Sequence, residues 1–128
     1  MSTVDERKQM REVLAKKGMG WVGFGKEGQY GQESEIHYWR GVTDGLPFKI
    51  YATDWNPFSK WAHCAWLIEA MRKMKWNFEI TILVDCQVRA IAYKKWKPWA
   101  NPPAGLADTF PAAVSLASYC ALEANDAT

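Results

Sequence analysis

The chain has no Cys-x-x-Cys pair, and its three cysteines, Cys64, Cys86 and Cys120, are odd in number and widely spaced. That spacing excludes a zinc ribbon, and the parity excludes a complete disulfide framework. A strong charge of one sign is also missing. The formal net charge of +2 is too small to argue for nucleic acid on charge alone. No apolar run approaches the ~18 residues that a membrane-spanning helix needs, so no membrane partner is expected. Met1 to Met10 is charged and lacks an apolar stretch, so no secretory signal reads there. Free thiols without a leader fit a reducing, cytoplasmic setting.

Tryptophan, by contrast, is abundant. Trp21, Trp39, Trp55, Trp61, Trp66, Trp76, Trp96 and Trp99 share a chain of 128 residues. Indoles are seldom buried completely and each N–H needs an acceptor, so some of the eight are expected at a rim or an interface. The apolar fraction of 48% and charged fraction of 23% are those of a globular protein. The length suits a single domain, residues 1–128, with one core.

The spacing predicts a first helix over about 3–17, with acids in its first turn, Lys16-Lys17 in its last and Gly18 as its stop. Residues 18–34 hold six glycines and no regular apolar period, which reads as a glycine-rich loop. Glu35 to Arg40 is a short strand or an aromatic loop, Thr43-Asp44-Gly45 is a turn signal, and Leu46 to Ala52 is an extended connector whose Pro47 argues against a central strand. A second helix is expected over about 57–75. Asp54 or Asn56 would cap it, Pro57 suits its first position, and its surface is apolar on nearly every side. Phe78, Ile80, Ile82 and Val84 alternate along one face of a strand over about 77–84. The chain then turns at Asp85-Cys86 and returns as a strand over about 87–95. A proline-rich loop, 96–108, leads into a closing alanine-rich helix over about 110–124. The fold class is therefore α+β: a small layered alpha-beta-alpha sandwich in which an antiparallel hairpin is flanked by helices.

Lys94, Lys95, Trp96, Lys97 and Trp99 form the leading candidate for a partner-binding surface. Cations attract phosphate or carboxylate, and indole faces stack on bases, sugars or guanidinium groups. The bland alternative is a strand-end loop whose tryptophans fold back over a sheet edge while its lysines keep that edge soluble. Gly23-Phe24-Gly25-Lys26-Glu27-Gly28 matches the letters of a dinucleotide fingerprint, but Gln29-Tyr30-Gly31-Gln32 does not open a helix. His63 and Cys64 are neighbours on a helix and point about 100° apart, so they are not a nucleophile–base pair. Cys64 and Cys120 read as core thiols and His63 as a half-exposed imidazole. Glu33, Glu35 and Asp44 read as loop solvation. No catalytic, metal or cofactor site is expected.

Several short runs resemble, in their order, the phage and prophage proteins called phage ABA sandwich domain proteins. They are Val13-Leu14-Ala15-Lys16-Lys17-Gly18-Met19-Gly20-Trp21, Tyr38-Trp39, Leu46-Pro47 and Tyr51-Ala52-Thr53-Asp54, followed by the alanine- and tryptophan-bearing helix, the hairpin and Pro111-Ala112-Ala113. The insertion Trp55-Asn56-Pro57-Phe58 and the longer proline-rich loop depart from that pattern. The resemblance implies a viral or prophage origin, the cytoplasm of an infected bacterial host, and no catalytic residues to carry over. The leading functional expectation is a non-enzymatic binding module contacting a host or phage protein, in the manner of an inhibitor of host defence such as an anti-CRISPR. Nucleic-acid binding through the Lys/Trp-rich loop is the alternative, and a small enzyme built on His37, His63 and the loop carboxylates ranks last. The two-sided apolar helix admits either a homodimer or a sandwich that buries both sides within one chain.

Overall fold

The computed structural model describes residues 4–25, 36–43, 46–94 and 102–126. Internal contacts divide the chain into two compact units, Met1–Asn56 and Pro57–Thr128. Each is α+β, with helix and antiparallel sheet.

The amino-terminal unit begins with α1 (Val4–Val13), which runs into a wider turn, Leu14–Gly18. The widening is visible in the hydrogen bonds. Met19 N–H donates to the Leu14 carbonyl at 2.9 Å, a five-residue span, and Trp21 N–H to the Ala15 carbonyl at 3.0 Å. Leu14 and Ala15 are fully buried there, whereas Glu6, Lys8 and Gln9 earlier in α1 are exposed.

A three-stranded sheet follows, in the order β1 (Val22–Phe24), β2 (Tyr38–Thr43), β3 (Leu46–Tyr51), all antiparallel. β1 falls inside the stretch expected to be a glycine-rich loop; of the rest of that stretch, residues 26–34 lie outside the described residues. The segment expected as a connector is β3, and its Pro47 is compatible with the ladder because β3 is an outer strand. Alternation assigns Gly23, Trp39, Gly41, Phe48 and Ile50 to the inner face. Trp21 lies on that face, stacked on Phe48 at 5.4 Å and meeting Trp55 edge-on at 4.8 Å. Gly41 makes room for it, because a Cβ there would stand 2.1 Å from the Trp21 Cδ1. Trp55 is fully buried, and its indole N–H donates to the Arg11 carbonyl at 2.9 Å, tying the turn after β3 to α1. The Trp21 indole N–H finds no acceptor among the described residues.

The carboxy-terminal unit opens with a buried turn at Pro57 and Phe58, and α2 runs from Trp61 to Lys73. The helix therefore starts later than the proline suggests. Lys60 is extended, at φ −99° and ψ 117°, which separates that turn from the helix, and at the cap position it makes no side-chain cap bond. Asp54 is exposed and belongs instead to the turn after β3, where its N–H donates to the Tyr51 carbonyl at 2.9 Å. His63, Cys64, Leu67 and Met71 are the buried stripe of α2, while Trp61 is 65% exposed. The end of α2 is a Schellman motif: Trp76 N–H donates to the Met71 carbonyl and Lys75 N–H to the Arg72 carbonyl. Lys75, at φ 74°, fills the left-handed position usually given to glycine, and buried Trp76 and Met71 supply the accompanying apolar residues.

The second sheet has the order β4 (Asn77–Ile82), β5 (Val88–Tyr93), β6 (Ala104–Ala107), again antiparallel. β4 and β5 are the expected hairpin. β6 sits in the stretch expected to be a proline-rich loop, hidden because Ala104-Gly105-Leu106-Ala107 has no β-branched residue; residues 95–101 lie outside the described residues. α3 (Phe110–Asp126) packs on β5 and β6, and α2 packs on α3. Thr109 caps α3, its hydroxyl accepting the Ala112 N–H at 3.3 Å. Ala113, Ala117 and Ala121 are fully buried, and the helix comes so close to β6 that a Cβ on Gly105 would lie 2.2 Å from the Ala113 carbonyl oxygen.

The hairpin turn needs a left-handed residue and uses a cysteine. Cys86 N–H donates to the Leu83 carbonyl at 2.9 Å, Leu83 N–H to the Gln87 carbonyl at 2.8 Å, and Cys86 has φ 68°. This is a three-residue loop with a bulge position, where glycine is usual. A side chain in this conformation costs about 1–2 kcal/mol. Cys86→Gly is expected to stabilise the protein by about 1 kcal/mol, after allowing for the freer unfolded chain. Urea denaturation checks it; an unchanged or lower midpoint would show that the turn is unstrained.

Candidate functional site

Of the five residues expected to form a binding loop, Lys94 is described: its ammonium lies 4.9 Å from the centroid of the Trp76 ring. Lys95, Trp96, Lys97 and Trp99 lie outside the described residues. So do Glu33, Glu35, Asp44 and Gly28, while Gly23 of the fingerprint-like run is a paired strand residue opposite Trp39.

The histidines sit in different units. His63 is buried, not half-exposed, and stacks on Trp66 at 4.9 Å. Burial pushes the neighbouring Cys64 thiol up to about 12, so its thiolate is scarce at neutral pH. Cys120 lies on the exposed side of α3 rather than in the core, although partial desolvation still raises its thiol. Among the described residues, no group of three or more His, Cys, Asp or Glu side chains could hold a metal ion, and no helix is long and apolar enough to cross a membrane.

A different surface is built by the register of the first sheet. Strand alternation places Val22, Phe24, Tyr38, Arg40, Val42, Pro47, Lys49 and Tyr51 on the outer face, opposite Trp39 and Phe48. Phe24, Tyr38 and Tyr51 pair directly across the three strands, giving one aromatic row. Phe24 and Tyr38 stack at 5.4 Å with planes 8° apart. The next row is Val22, Arg40 and Lys49. Lys49 Nζ lies 4.4 Å from the Tyr38 centroid and 5.5 Å from that of Tyr51, and the Arg40 guanidinium lies 5.8 Å from the Phe24 centroid. His37 meets Tyr51 edge-on at 5.5 Å and continues the row at the sheet's end.

The rings carry the cations without neutralising them, because a cation–π contact is an attraction to a quadrupole and leaves the net charge in place. Arg40 and Lys49 are the charged residues of β1, β2 and β3, and no acid occurs in those strands. Val22, Val42 and Tyr51 are 43%, 64% and 48% exposed. The face is thus apolar, aromatic and positive together. Its sequence signal is the alternation Tyr38-x-Arg40-x-Val42 and Pro47-x-Lys49-x-Tyr51 on either side of Asp44-Gly45, a dipeptide typical of two-residue hairpin turns.

Compared with protein-family models, curated proteins and solved structures, the chain matches none.

Proposed function

We propose that this chain is a binding module that acts by contact rather than by bond-making chemistry, through the outer face of β1, β2 and β3. Its partner is a protein that offers acidic side chains around an apolar centre. One observation carries this reading: an aromatic row in register across three strands, beside Arg40 and Lys49, with no acid in those strands. Aromatic residues and Arg are the usual anchors of protein interfaces, where they bury large area at small entropic cost. Arg40 is suited to a two-pronged carboxylate contact and Lys49 to a point contact. The family resemblance adds a setting, that of a small phage or prophage accessory protein in an infected bacterium. There it would contact a host or phage macromolecule in the manner of an inhibitor of host defence.

The test reverses both charges. Arg40 and Lys49 are exposed, so Arg40→Glu with Lys49→Glu is expected to leave the circular dichroism spectrum and melting unchanged. In a pull-down from bacterial host lysate, a protein held by the native chain is expected to bind the double variant about 100-fold more weakly. Equal retention of that protein, or no retained protein at all, rejects the reading. Quenching of tryptophan emission by a single-stranded oligonucleotide, with affinity falling steeply as salt rises, would assign the face to nucleic acid instead.

A further inference from the structure

Among the described residues β4 is an outer strand of its sheet, and a single charge, Glu79, guards that edge. Its six residues, Asn77-Phe78-Glu79-Ile80-Thr81-Ile82, include no proline, glycine or lysine. Phe78, Ile80 and Ile82 share the side of the sheet that α3 covers over β5 and β6, since they pair with Ala92, Ala90 and Val88. Even so, Ile80 is 36% exposed and Ile82 74% exposed, and Val84 in the following turn is fully exposed.

The direction of the free backbone groups follows from the hairpin. Leu83 N–H donates to the Gln87 carbonyl, so in the alternating antiparallel pattern Thr81 and Glu79 also bond toward β5. Phe78, Ile80 and Ile82 therefore direct their N–H and carbonyl groups away from β5, over the same residues whose side chains form the apolar strip.

We propose that β4 pairs antiparallel with β4 of a second copy of this chain, centred on Ile80, to join two three-stranded sheets into one. In that register Ile80 meets its own counterpart and Phe78 meets the second copy's Ile82, each as a hydrogen-bonded pair. On the opposite side Glu79 falls across from Thr81, an acceptor facing a hydroxyl donor. The alternatives are worse on stated grounds. Shifting by one residue sets the apolar side of one strand against the polar side of the other. Centring on Glu79 opposes two carboxylates. Centring on Thr81 shortens the overlap to residues 80–82. A second copy is the occupant because the order of apolar and polar residues along β4 matches itself about Ile80, which sets each Glu79 across from a threonine rather than another carboxylate. The inference is independent of the outer face of β1, β2 and β3.

Sedimentation velocity across a dilution series tests it. The native chain is expected to pass from dimer to monomer on dilution, and Ile82→Lys, an exposed change, to raise the dissociation constant about 100-fold with an unaltered circular dichroism spectrum. The register is read by cross-linking in a Cys86→Gly, Cys120→Ser background. The Cα atoms of a hydrogen-bonded pair lie ~5.5 Å apart, within disulfide reach. Adding Ile80→Cys should therefore give a covalent dimer when oxidised glutathione takes up the two thiol hydrogens. Glu79→Cys, which does not face itself, should stay unlinked. A monomer at every concentration, a dimer indifferent to Ile82→Lys, or faster linkage through Glu79→Cys would each overturn the proposal.

Discussion

Gly105→Ala is expected to lower stability by about 3 kcal/mol, the upper end for adding one methyl group to a filled site. The new Cβ would meet the Ala113 carbonyl oxygen at 2.2 Å and the Ala117 nitrogen at 2.7 Å. Both are backbone atoms of α3 and have no rotamer through which to move away. Relief requires the helix to lift from β6, which uncovers Ala113, Ala117 and Ala121. For a chain of this length the melting midpoint should fall by about 10 °C. Ala104→Ser, at the exposed neighbouring position, serves as the control and is expected within about 0.5 kcal/mol of the native chain. A Gly105→Ala protein that melts with that control would mean that α3 does not lie where it is described.

Trp55→Ala is expected to cost about 4 kcal/mol, in the range for truncating a fully buried large aromatic residue. Trp55 is 0% exposed, meets Trp21 edge-on and donates to the Arg11 carbonyl. The substitution removes the ring that fills the space beside Trp21 and also the bond that ties the chain after β3 to α1. Trp55→Phe separates the two effects, since it keeps most of the ring and loses the donor; its cost should be about 1–2 kcal/mol. Guanidinium unfolding of the two variants measures the difference. If they lose stability equally, the hydrogen bond rather than the packing dominates at this position.

The β4–β5 hairpin was legible because Phe78, Ile80 and Ile82 alternate, and α3 because its alanines recur at helical spacing. The small residues on α3 suit close approach to a sheet, and Gly105 is where that approach occurs. β1, β2 and β3 were harder. Pro47 argued against a central strand, and β3 is an outer one, where a residue without an N–H is tolerated. Pro57 marked the start of α2 too early because an extended Lys60 intervenes, a backbone choice that helix propensity does not encode. The outer face of the first sheet was the least accessible part. Alternation marks β2 and β3 one at a time, but Phe24, Tyr38 and Tyr51 become a row only when three strands take one register, and no local period assigns β1 to β2. Of the Lys/Trp-rich loop, Lys94 alone falls among the described residues, over Trp76.

The strands at the two margins of the second sheet are unequal. β6 is four residues long and follows Pro102-Pro103, so it offers an incoming strand little to add to. β4 is the longer one and carries a single charge, Glu79. A two-fold contact through β4 consumes the open ladder of both molecules at once and leaves only the blunted margins outside. Growth through this sheet then halts at a pair, because β6 offers an incoming strand little to join.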